Sequence, residues 1–200
     1  MKILFHACCA PCSSSCIEGL RDKDLLDKNL SIKFFWYNHN IHPLTEFEQR
    51  RHSLVSLALA QNIELFSIDE YGLDEFMESL GLESAAGQVK LVAGQTEPGT
   101  ATRCAACYRT RLERTALAAK EQGFDAFSTT LLTSPYQKHD LIKQIGEECA
   151  VKFGIEFFYM DFRPWFRPGQ KKAREAGSYM QKYCGCVFSA REANSSTLAK

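Results

Sequence analysis

The stretch KILFHACCAPC, residues 2–12, decides the fold because it joins a short apolar run directly to three cysteines. The run Lys2–His6 has the length and the side chains of a buried β-strand. Consecutive α-carbons lie about 3.8 Å apart, whereas bridged cysteines need about 4.4 to 6.8 Å, so Cys8 and Cys9 are poorly suited to a disulfide with each other. Each thiol needs another partner, and a disulfide framework is the first alternative to exclude.

Similar apolar runs recur along the chain, and most are separated by segments of helical period. Strands that alternate with helices form βαβ units, in which helices cover both faces of a mostly parallel sheet. We therefore predict one α/β domain over residues 1–200, with a mostly parallel, Rossmann-like sheet of about five strands flanked by helices. The predicted strands are residues 2–6, 32–38, 63–68, 125–132 and 155–160.

Three helical stripes support this assignment. The first follows Pro43 and leaves Glu46 and Arg50 off its apolar face. The second and third lie after the CAAC motif and after residue 140. Their apolar positions are Leu44, Phe47, Leu54, Leu57 and Ala58; Tyr108, Leu112, Thr115 and Ala119; and Leu141, Ile142, Ile145, Cys149 and Phe153.

The topology predicts where a ligand would bind. Parallel sheets bind ligands beyond the carboxyl ends of their strands, and the cysteines that follow the first strand should lie at that edge. Residues 81–102 are rich in Gly, Ala, Ser and Thr and show no clear period. We predict that they form a loop or lid leading into the CAAC helix.

Composition favours a reduced, cytoplasmic environment. The chain has 200 residues, of which 45% are apolar, and a formal net charge of +0, so it can bury a core but gives no global electrostatic reason to bind nucleic acid or a membrane. The apolar stretch near Met1 is too short for a signal peptide, and no run is long enough to span a bilayer. Nine cysteines in such a chain point to metal binding or redox catalysis.

A second thiol group stands in RCAACYRTRLER, residues 103–114, at the predicted start of a helix whose exposed positions hold four arginines. A helix N-terminus and nearby cations stabilise thiolates, the form that binds metals and iron-sulfur clusters. Cys104 and Cys107, with Cys8 and Cys9, could supply the four sulfur ligands of a cubane cluster or a zinc ion. A structural zinc site and a thioredoxin-type motif stay open, although vicinal cysteines after a buried strand favour a cofactor site.

The cysteines of the first helix and the lone Cys149 have different expected roles. Cys12 and Cys16 lie four residues apart on one helical face. Cys12 is nearer the loop and is a candidate metal contact, whereas we expect Cys16 and Cys149 to be buried core residues.

The motif YCGCVFS, residues 183–189, differs in kind. Gly185 permits unusual dihedral angles, so Cys184 and Cys186 could close a strained and therefore reducible disulfide. Zinc knuckles normally place at least two residues between their ligands. The motif thus predicts a redox-active pair.

Several other polar residues are candidates near the predicted site. Asp161 follows the last predicted strand and could bind a metal or give up a proton, the alternatives being a helix N-cap or an ion pair with Arg163. Residues 163–182 hold six basic side chains and one acid, which predicts either a phosphate-binding patch or a solvated helix face. His6, His39 and His42 flank the edge, where a structural histidine is commoner than a ligand.

Four motifs stand together in order: HACCAPCS, CAACYRTRL, TTLLTSPYQ and YCGCVFS, with DFRPWFRPG between the last two. This arrangement resembles the cobalamin-independent epoxyqueuosine reductases, the QueH family, over nearly the whole chain. The resemblance implies a Rossmann-like (HUP-like) oxidoreductase that catalyses the last step of queuosine biosynthesis. In that step the epoxide of epoxyqueuosine, at the wobble position of tRNA, is reduced to the alkene and water leaves.

By motif position, the resemblance implies that a 4Fe-4S cluster is held by Cys8, Cys9, Cys104 and Cys107. It makes Cys184 and Cys186 the redox-active pair, with a disulfide bond as one state. It also implies an additional iron ion, and the candidates for its shell are Cys12 and Asp161.

The expected partners are tRNA carrying epoxyqueuosine and an electron donor that the sequence does not identify; no membrane partner is expected. The arginines after Cys107 and the basic run of residues 163–182 are the candidate phosphate contacts. Trp36, Trp165 and Phe166 are candidates for stacking on an unstacked base.

Two rival functions remain at this stage. A thiol-disulfide oxidoreductase acting on proteins would keep its activity after iron chelation and would need no RNA. A zinc-stabilised RNA-binding module would be colourless and would contain one zinc ion per chain.

Overall fold

The computed structural model describes residues 1–26, 30–85, 88–90 and 98–198. No helix in this described part is long and apolar enough to cross a membrane. Short 3-10 turns occur at Thr130–Thr133 and Arg163–Trp165. In chain order the other elements are β1 (Lys2–His6), α1 (Ala10–Asp22), β2 (Ser31–Trp36), α2 (Leu44–Ala60), β3 (Leu65–Ser67), α3 (Leu73–Glu78), β4 (Glu83–Ala85), β5 (Gln88–Lys90), α4 (Thr100–Glu121), β6 (Ala126–Thr129), α5 (His139–Phe153), β7 (Glu156–Phe157), α6 (Phe166–Glu175) and α7 (Val187–Leu198).

Five strands form one parallel sheet in the order β3-β2-β1-β6-β7. The chain lays down β1 to β3 on one side and then returns to place β6 and β7 on the other side of β1. In the β1–β6 pair His6 lies opposite Thr129, so the carboxyl ends of these two strands meet. Open α/β sheets bind ligands in the crevice at such a reversal. The cysteines that follow β1 lie at this position.

The core is built from β1 and the predicted helical stripes. Ile3, Leu4 and Phe5 are fully buried, as is the stripe that begins at Tyr108. Helix α1 contacts α2 and α6, whereas α4 contacts α5, as expected when right-handed connections place helices on both faces. The predicted α/β fold class with a five-stranded parallel sheet is confirmed.

Helix α6 fixes the position of the cysteine-bearing helix α1. A Cβ atom on Gly169 of α6 would lie 2.2 Å from the Ser15 hydroxyl and 2.3 Å from the Ser15 α-carbon. Only glycine permits this approach. The two helices therefore meet at a point where neither backbone can shift without losing the contact.

Four strands are shorter than predicted, because β2 ends at Trp36, β3 covers only Leu65–Ser67, and two later runs leave the sheet early. The apolar run at 125–132 leaves the sheet after Thr129 and continues as a 3-10 turn. The run at 155–160 pairs only at Glu156–Phe157. The Phe158 N–H makes a last hydrogen bond to the Phe127 carbonyl oxygen at 2.9 Å, and the later part stays apolar because Phe158 and Met160 pack against the core. Asp161 therefore does not lie at the carboxyl end of β7.

Residues 81–102 contain more regular structure than the predicted loop. β4 pairs antiparallel with β5, and α4 begins at Thr100. The two strands have only three residues each, so the composition of the segment did not reveal them. Residues 86–87 and 91–97 lie outside the described part of the chain, and the role of the segment as a lid stays a prediction.

The expectation that all four arginines of residues 103–114 are exposed is wrong, because two of them are buried. Glu46 and Arg50 of α2 are buried, and so are Arg103 and Arg111 of α4. An amphipathic pattern identifies the main apolar face but does not reveal a second element packed against the polar face. These buried charges surround the cysteines, as the site shows.

Candidate active site

Three buried thiols meet at the turn between β1 and α1. Cys9 is the N-cap of α1, and its sulfur accepts a hydrogen bond from the Cys12 N–H at 3.5 Å, while Pro11 favours the helical first turn. The sulfurs of Cys8 and Cys9 lie 3.7 Å apart. The sulfurs of Cys8, Cys9 and Cys12, hereafter the thiol triad, all lie within 4.8 Å of one another.

Side chains from two other segments contact the thiol triad. Thr130, just after β6, accepts the Cys8 backbone N–H at 3.1 Å, and its hydroxyl donates to the Cys8 sulfur at 3.3 Å. The Gln181 amide donates to the Cys9 sulfur at 2.9 Å, while its buried Oε1 has no hydrogen-bond partner. The triad is therefore enclosed by donors that favour sulfur with negative charge.

The three thiols do not share one acidity. Hydrogen bonds from the Cys12 and Cys9 thiols hold the pKa of Cys8 well below its ordinary value. Burial raises the pKa of Cys9, and the hydrogen bond to Cys8 raises the pKa of Cys12. Without a bound cation the arrangement favours one thiolate, at Cys8, and a soft metal would favour the deprotonated form of all three.

The CAAC cysteines lie inside α4 rather than at its first residues. Burial raises the pKa of Cys107 to about 11 and also raises the pKa of the half-buried Cys104. Burial thus outweighs the expected helix N-terminal effect. The buried guanidinium of Arg111 donates to the Cys107 sulfur at 2.8 Å and also interacts electrostatically with Cys8.

Arg111 thus interacts both with an α4 thiol and with the thiol triad, which lie in one region. Cys104 and Cys107 are not among the sulfurs grouped within 4.8 Å. Cys12, the candidate for a second iron, lies in the triad itself. The four-ligand set Cys8, Cys9, Cys104 and Cys107 stays a prediction.

The third thiol group is the turn of residues 184–186, hereafter the CGC turn. Gly185 adopts φ 111°, a conformation that favours glycine, and an added Cβ would lie 2.9 Å from an Arg50 nitrogen. The Cys184 and Cys186 sulfurs lie 3.7 Å apart, whereas a disulfide needs about 2 Å. The predicted disulfide is not formed: all nine cysteines are free.

The two thiols of the CGC turn differ in acidity. Hydrogen bonds from the Cys186 thiol and the Ser189 hydroxyl lower the pKa of the exposed Cys184 to about 5, while donation to Cys184 raises the pKa of Cys186. An accessible thiolate beside a retained thiol is the arrangement of a nucleophile and its resolving partner.

A buried ion pair on α2 holds the CGC turn. Arg50 contacts the Glu46 carboxylate at 2.6 Å and donates to the carbonyl oxygens of Tyr183 at 2.8 Å and Cys184 at 3.1 Å. The Tyr179 hydroxyl donates to the second Glu46 oxygen at 2.5 Å. The backbone of Gly185 is also fixed, because its carbonyl accepts the His42 N–H at 2.8 Å.

One cavity is lined by both the thiol triad and the CGC turn. It has a volume of about 400 Å³ and opens beside Cys8, Cys12 and Cys184. A larger cavity of about 530 Å³ lies at the amino ends of the strands, and its described lining contains no cysteine. Of these two cavities, the smaller is the one whose described lining includes thiols. Its remaining lining residues are Arg50, Leu131, Ser134, Tyr136, Gln137, Phe166, Gln170, Gln181, Lys182 and Tyr183.

Other predicted residues lie away from this cavity. Asp161 accepts hydrogen bonds from the Arg163 backbone and guanidinium, which hold the pKa of its carboxyl below the usual range. The alternative of an ion pair is observed, and the roles of Asp161 as proton donor or iron ligand stay predictions. Trp36 is fully buried and cannot stack on a base, and Trp165 packs near Gly19 and Lys23.

The histidines and the two core cysteines have structural environments. His6 is buried against Thr129, Tyr37 and Asn38, and burial lowers its pKa to about 3. Cys16 and Cys149 are fully buried, as predicted. Tyr71 hydrogen-bonds His42, and His39 is buried without a hydrogen-bond partner.

Sequence reasoning missed Glu46, Arg50, Gln181 and Tyr136. Nothing in the local sequence marks Glu46, Arg50 or Gln181, because their partners are distant in the chain. Tyr136 stands in the TTLLTSPYQ motif just after the β6 turn, which is a position that strand-end reasoning could have identified.

We expect Glu46→Gln to destabilise the protein by about 3–5 kcal/mol, because it leaves the buried Arg50 charge without its counter-charge. Urea unfolding measures the change. Glu48→Gln, at an exposed position of the same helix, is the matched control and should stay within about 0.5 kcal/mol of the parent. Equal effects of the two substitutions would contradict the assigned role of the ion pair.

The acidity of Cys184 predicts the pH dependence of alkylation. A pKa of about 5 means that the thiolate forms as pH rises through 5, so iodoacetamide should react with Cys184 at a rate that is level between about pH 6 and 8. Mass spectrometry of the labelled peptide measures it. Ser189→Ala should move the profile to higher pH, and a rate still rising near the ordinary thiol pKa of about 8.5 would refute the assignment.

Comparison with known proteins identifies the family of this chain. The family model of epoxyqueuosine reductase QueH matches residues 3–192. Proteins named epoxyqueuosine reductase QueH are similar at 35% identity in Thermotoga maritima (95% of this chain, 91% of the relative), 30% in Dehalococcoides mccartyi (96% and 93%) and 33% in Acinetobacter baylyi (96% and 82%). A solved structure, the U34-tRNA thiolase NcsA from Methanococcus maripaludis, aligns with a TM-score of 0.40 at 11% identity over 94% of this chain and 76% of its own, a likeness too distant to carry an argument. The chain belongs to the epoxyqueuosine reductase QueH family.

Proposed function

We propose that this oxidoreductase reduces the epoxide of epoxyqueuosine in tRNA to give queuosine. Family membership supports the reaction. The observation that carries the assignment to a site is the shared cavity, which opens beside Cys8 and Cys12 of the thiol triad and beside Cys184 of the CGC turn. The family does not favour either a general thiol-disulfide oxidoreductase or a zinc-stabilised RNA-binding module.

An iron-sulfur cluster fits the residues present. Buried thiols grouped within 4.8 Å are soft ligands suited to iron, and the surrounding donors of Thr130, Gln181 and Arg111 suit a negatively charged sulfur-rich group. The proposed ligands of a 4Fe-4S cluster are Cys8, Cys9, Cys104 and Cys107. Cys12 and Asp161 are proposed for an additional iron.

The cluster-binding thiols and the redox-active pair can together meet the electron requirement of the reaction. Converting the epoxide to the alkene consumes two electrons and two protons and releases water. A bound cluster supplies electrons singly and can act as a Lewis acid toward the epoxide oxygen. Oxidation of the Cys184 thiolate and the Cys186 thiol to a disulfide releases two electrons and one proton, and water supplies the second proton. An external reductant then returns the pair to the dithiol.

The cavity walls suit an unstacked nucleoside. Tyr136 is 85% exposed, and its ring makes an edge contact with Phe166 at 6.0 Å, so the two rings offer an aromatic wall beside the thiols. Lys182 lines the same cavity and can contact a phosphate. Phe166 was a candidate from sequence; Tyr136 joins it, while Trp36 is excluded by burial. Aromatic side chains bind splayed bases by stacking in single-stranded RNA loops.

The function is tested with protein purified under anaerobic conditions, a reductant and tRNA containing epoxyqueuosine. Mass spectrometry of the digested nucleosides should show loss of one oxygen atom. Cys104→Ser should remove the visible absorbance of the cluster and abolish turnover, whereas Cys149→Ala, at a core cysteine, should keep both. Full turnover by protein that contains no iron would contradict the proposal.

Tyr136→Ala should raise the KM for tRNA roughly tenfold or more with little effect on kcat, because base stacking on an aromatic ring contributes about 1–3 kcal/mol. Tyr136→Phe keeps the ring and should behave like the parent. Steady-state kinetics on the same tRNA separates the two parameters. An unchanged KM in the alanine variant would exclude Tyr136 from substrate binding.

A further inference from the structure

Arg111 is a buried cation with no acidic partner among the described residues. Arg111 lies in the middle of α4 and is only 4% exposed. Its hydrogen bonds go to the Cys107 carbonyl oxygen at 3.0 Å and the Cys107 sulfur at 2.8 Å. The other buried arginines differ, because Arg50 is paired with Glu46 and Arg103 with Glu192.

The groups that face Arg111 come from all three thiol groups. Its guanidinium interacts electrostatically with Cys107 of α4, Cys8 of the thiol triad and Cys184 of the CGC turn, and with the Tyr108 phenol. Arg111 therefore hydrogen-bonds one thiol group and lies within electrostatic range of the other two. No other cation that the structure describes contacts a CAAC sulfur through a hydrogen bond.

A buried charge without a counter-charge is strongly unfavourable, so a protein normally neutralises it or pairs it. Arginine cannot neutralise itself by losing a proton at physiological pH. The negative charge that balances Arg111 must therefore come from sulfur. Metal-bound thiolates carry such a charge permanently, whereas among the free buried thiols that face Arg111 only Cys8 favours the charged form.

We propose that Arg111 is a positioning residue whose fixed positive charge balances the thiolate-bound cofactor and raises its reduction potential. The inference rests on the proposed function, because it requires an iron-sulfur cluster on these cysteines. Reduction adds negative charge to a cluster, and a cation that donates a hydrogen bond to a ligand sulfur stabilises the reduced form. Electron delivery to the epoxide would then occur from a site whose potential is set by α4 itself.

The test compares the cluster's midpoint potential in Arg111→Gln, Arg111→Lys and Arg109→Gln by anaerobic redox titration followed by electron paramagnetic resonance. Gln removes the charge and keeps a hydrogen-bond donor, whereas Lys keeps the charge. Arg109 is the matched control, because it lies on the same helix in a surface ion pair with Glu148 and its only thiol neighbour in electrostatic range among the described residues is the core cysteine Cys149. We expect the potential to become more negative in Arg111→Gln, to stay close to the parent in Arg111→Lys and to be unchanged in Arg109→Gln.

Unfolding of the cofactor-free protein gives a second readout. Without the cofactor the Arg111 charge is only partly balanced, by the ionised thiols that face it, so Arg111→Gln should unfold at the same temperature as the parent or higher, and it should gain less on cluster loading. If Arg111 only stabilised the fold, Arg111→Gln would lower the unfolding temperature of the cofactor-free protein. Failure of Arg111→Gln to fold would therefore overturn the inference.

The remaining outcomes also either support or overturn the inference about Arg111. An unshifted potential in Arg111→Gln, or an equal shift in Arg111→Lys, would show that the charge is not responsible. If Arg111→Gln takes up no iron, full loading of Arg111→Lys supports the inference and an empty Arg111→Lys overturns it. A parent protein without iron and sulfide would overturn the proposed function as well, which distinguishes that failure from the others.

Discussion

The parallel pairing of β1 with β6 is the constraint on which the rest of the molecule depends. It places His6 opposite Thr129, so the turns that leave both strands start side by side at the reversal of strand order. The Cys8 N–H then bonds to the Thr130 hydroxyl, which returns a hydrogen bond to the Cys8 sulfur. A slip of one residue would turn the side chains of β1 to the opposite face and would move the thiol triad away from β6.

The second half of the site is brought to this edge by buried polar contacts rather than by the sheet. The Glu46–Arg50 ion pair holds the backbone of the CGC turn, and Gln181, two residues before Tyr183, contacts the Cys9 sulfur. Burying two charges costs solvation energy, so such pairs contribute less to stability than to defining one arrangement. Here that arrangement places an exposed thiol, Cys184, on the cavity that also opens to Cys8 and Cys12.

The sequence was sufficient for the parts of this structure that depend on local periodicity. β1, the helix after Pro43 and the buried stripe from Tyr108 to Ala119 follow from the alternation of apolar and polar residues. The edge at which Cys8 and Cys9 lie follows from the rule for parallel sheets. The order of the motifs then identified the family, which the comparison confirms.

Other features could not be read from local patterns. Arg50 and Arg111 interact with segments more than a hundred residues away in the chain, whereas periodicity alone assigns charged residues to solvent. Composition predicts a full strand at 155–160, although only Glu156–Phe157 form one, because a buried irregular segment has the same composition as a strand. The expected bridge between Cys184 and Cys186 rested on spacing, which permits a disulfide without requiring one.

We propose that sulfurs from distant parts of the chain bind iron at the edge of the sheet beside the CGC turn. Anomalous X-ray diffraction at the iron absorption edge, on crystals of the anaerobically purified protein, tests it most directly. We expect iron bonded to Cys8 and Cys9 at the wall of the cavity that Cys184 also lines. Iron bound elsewhere, or zinc alone at these sulfurs, would contradict it.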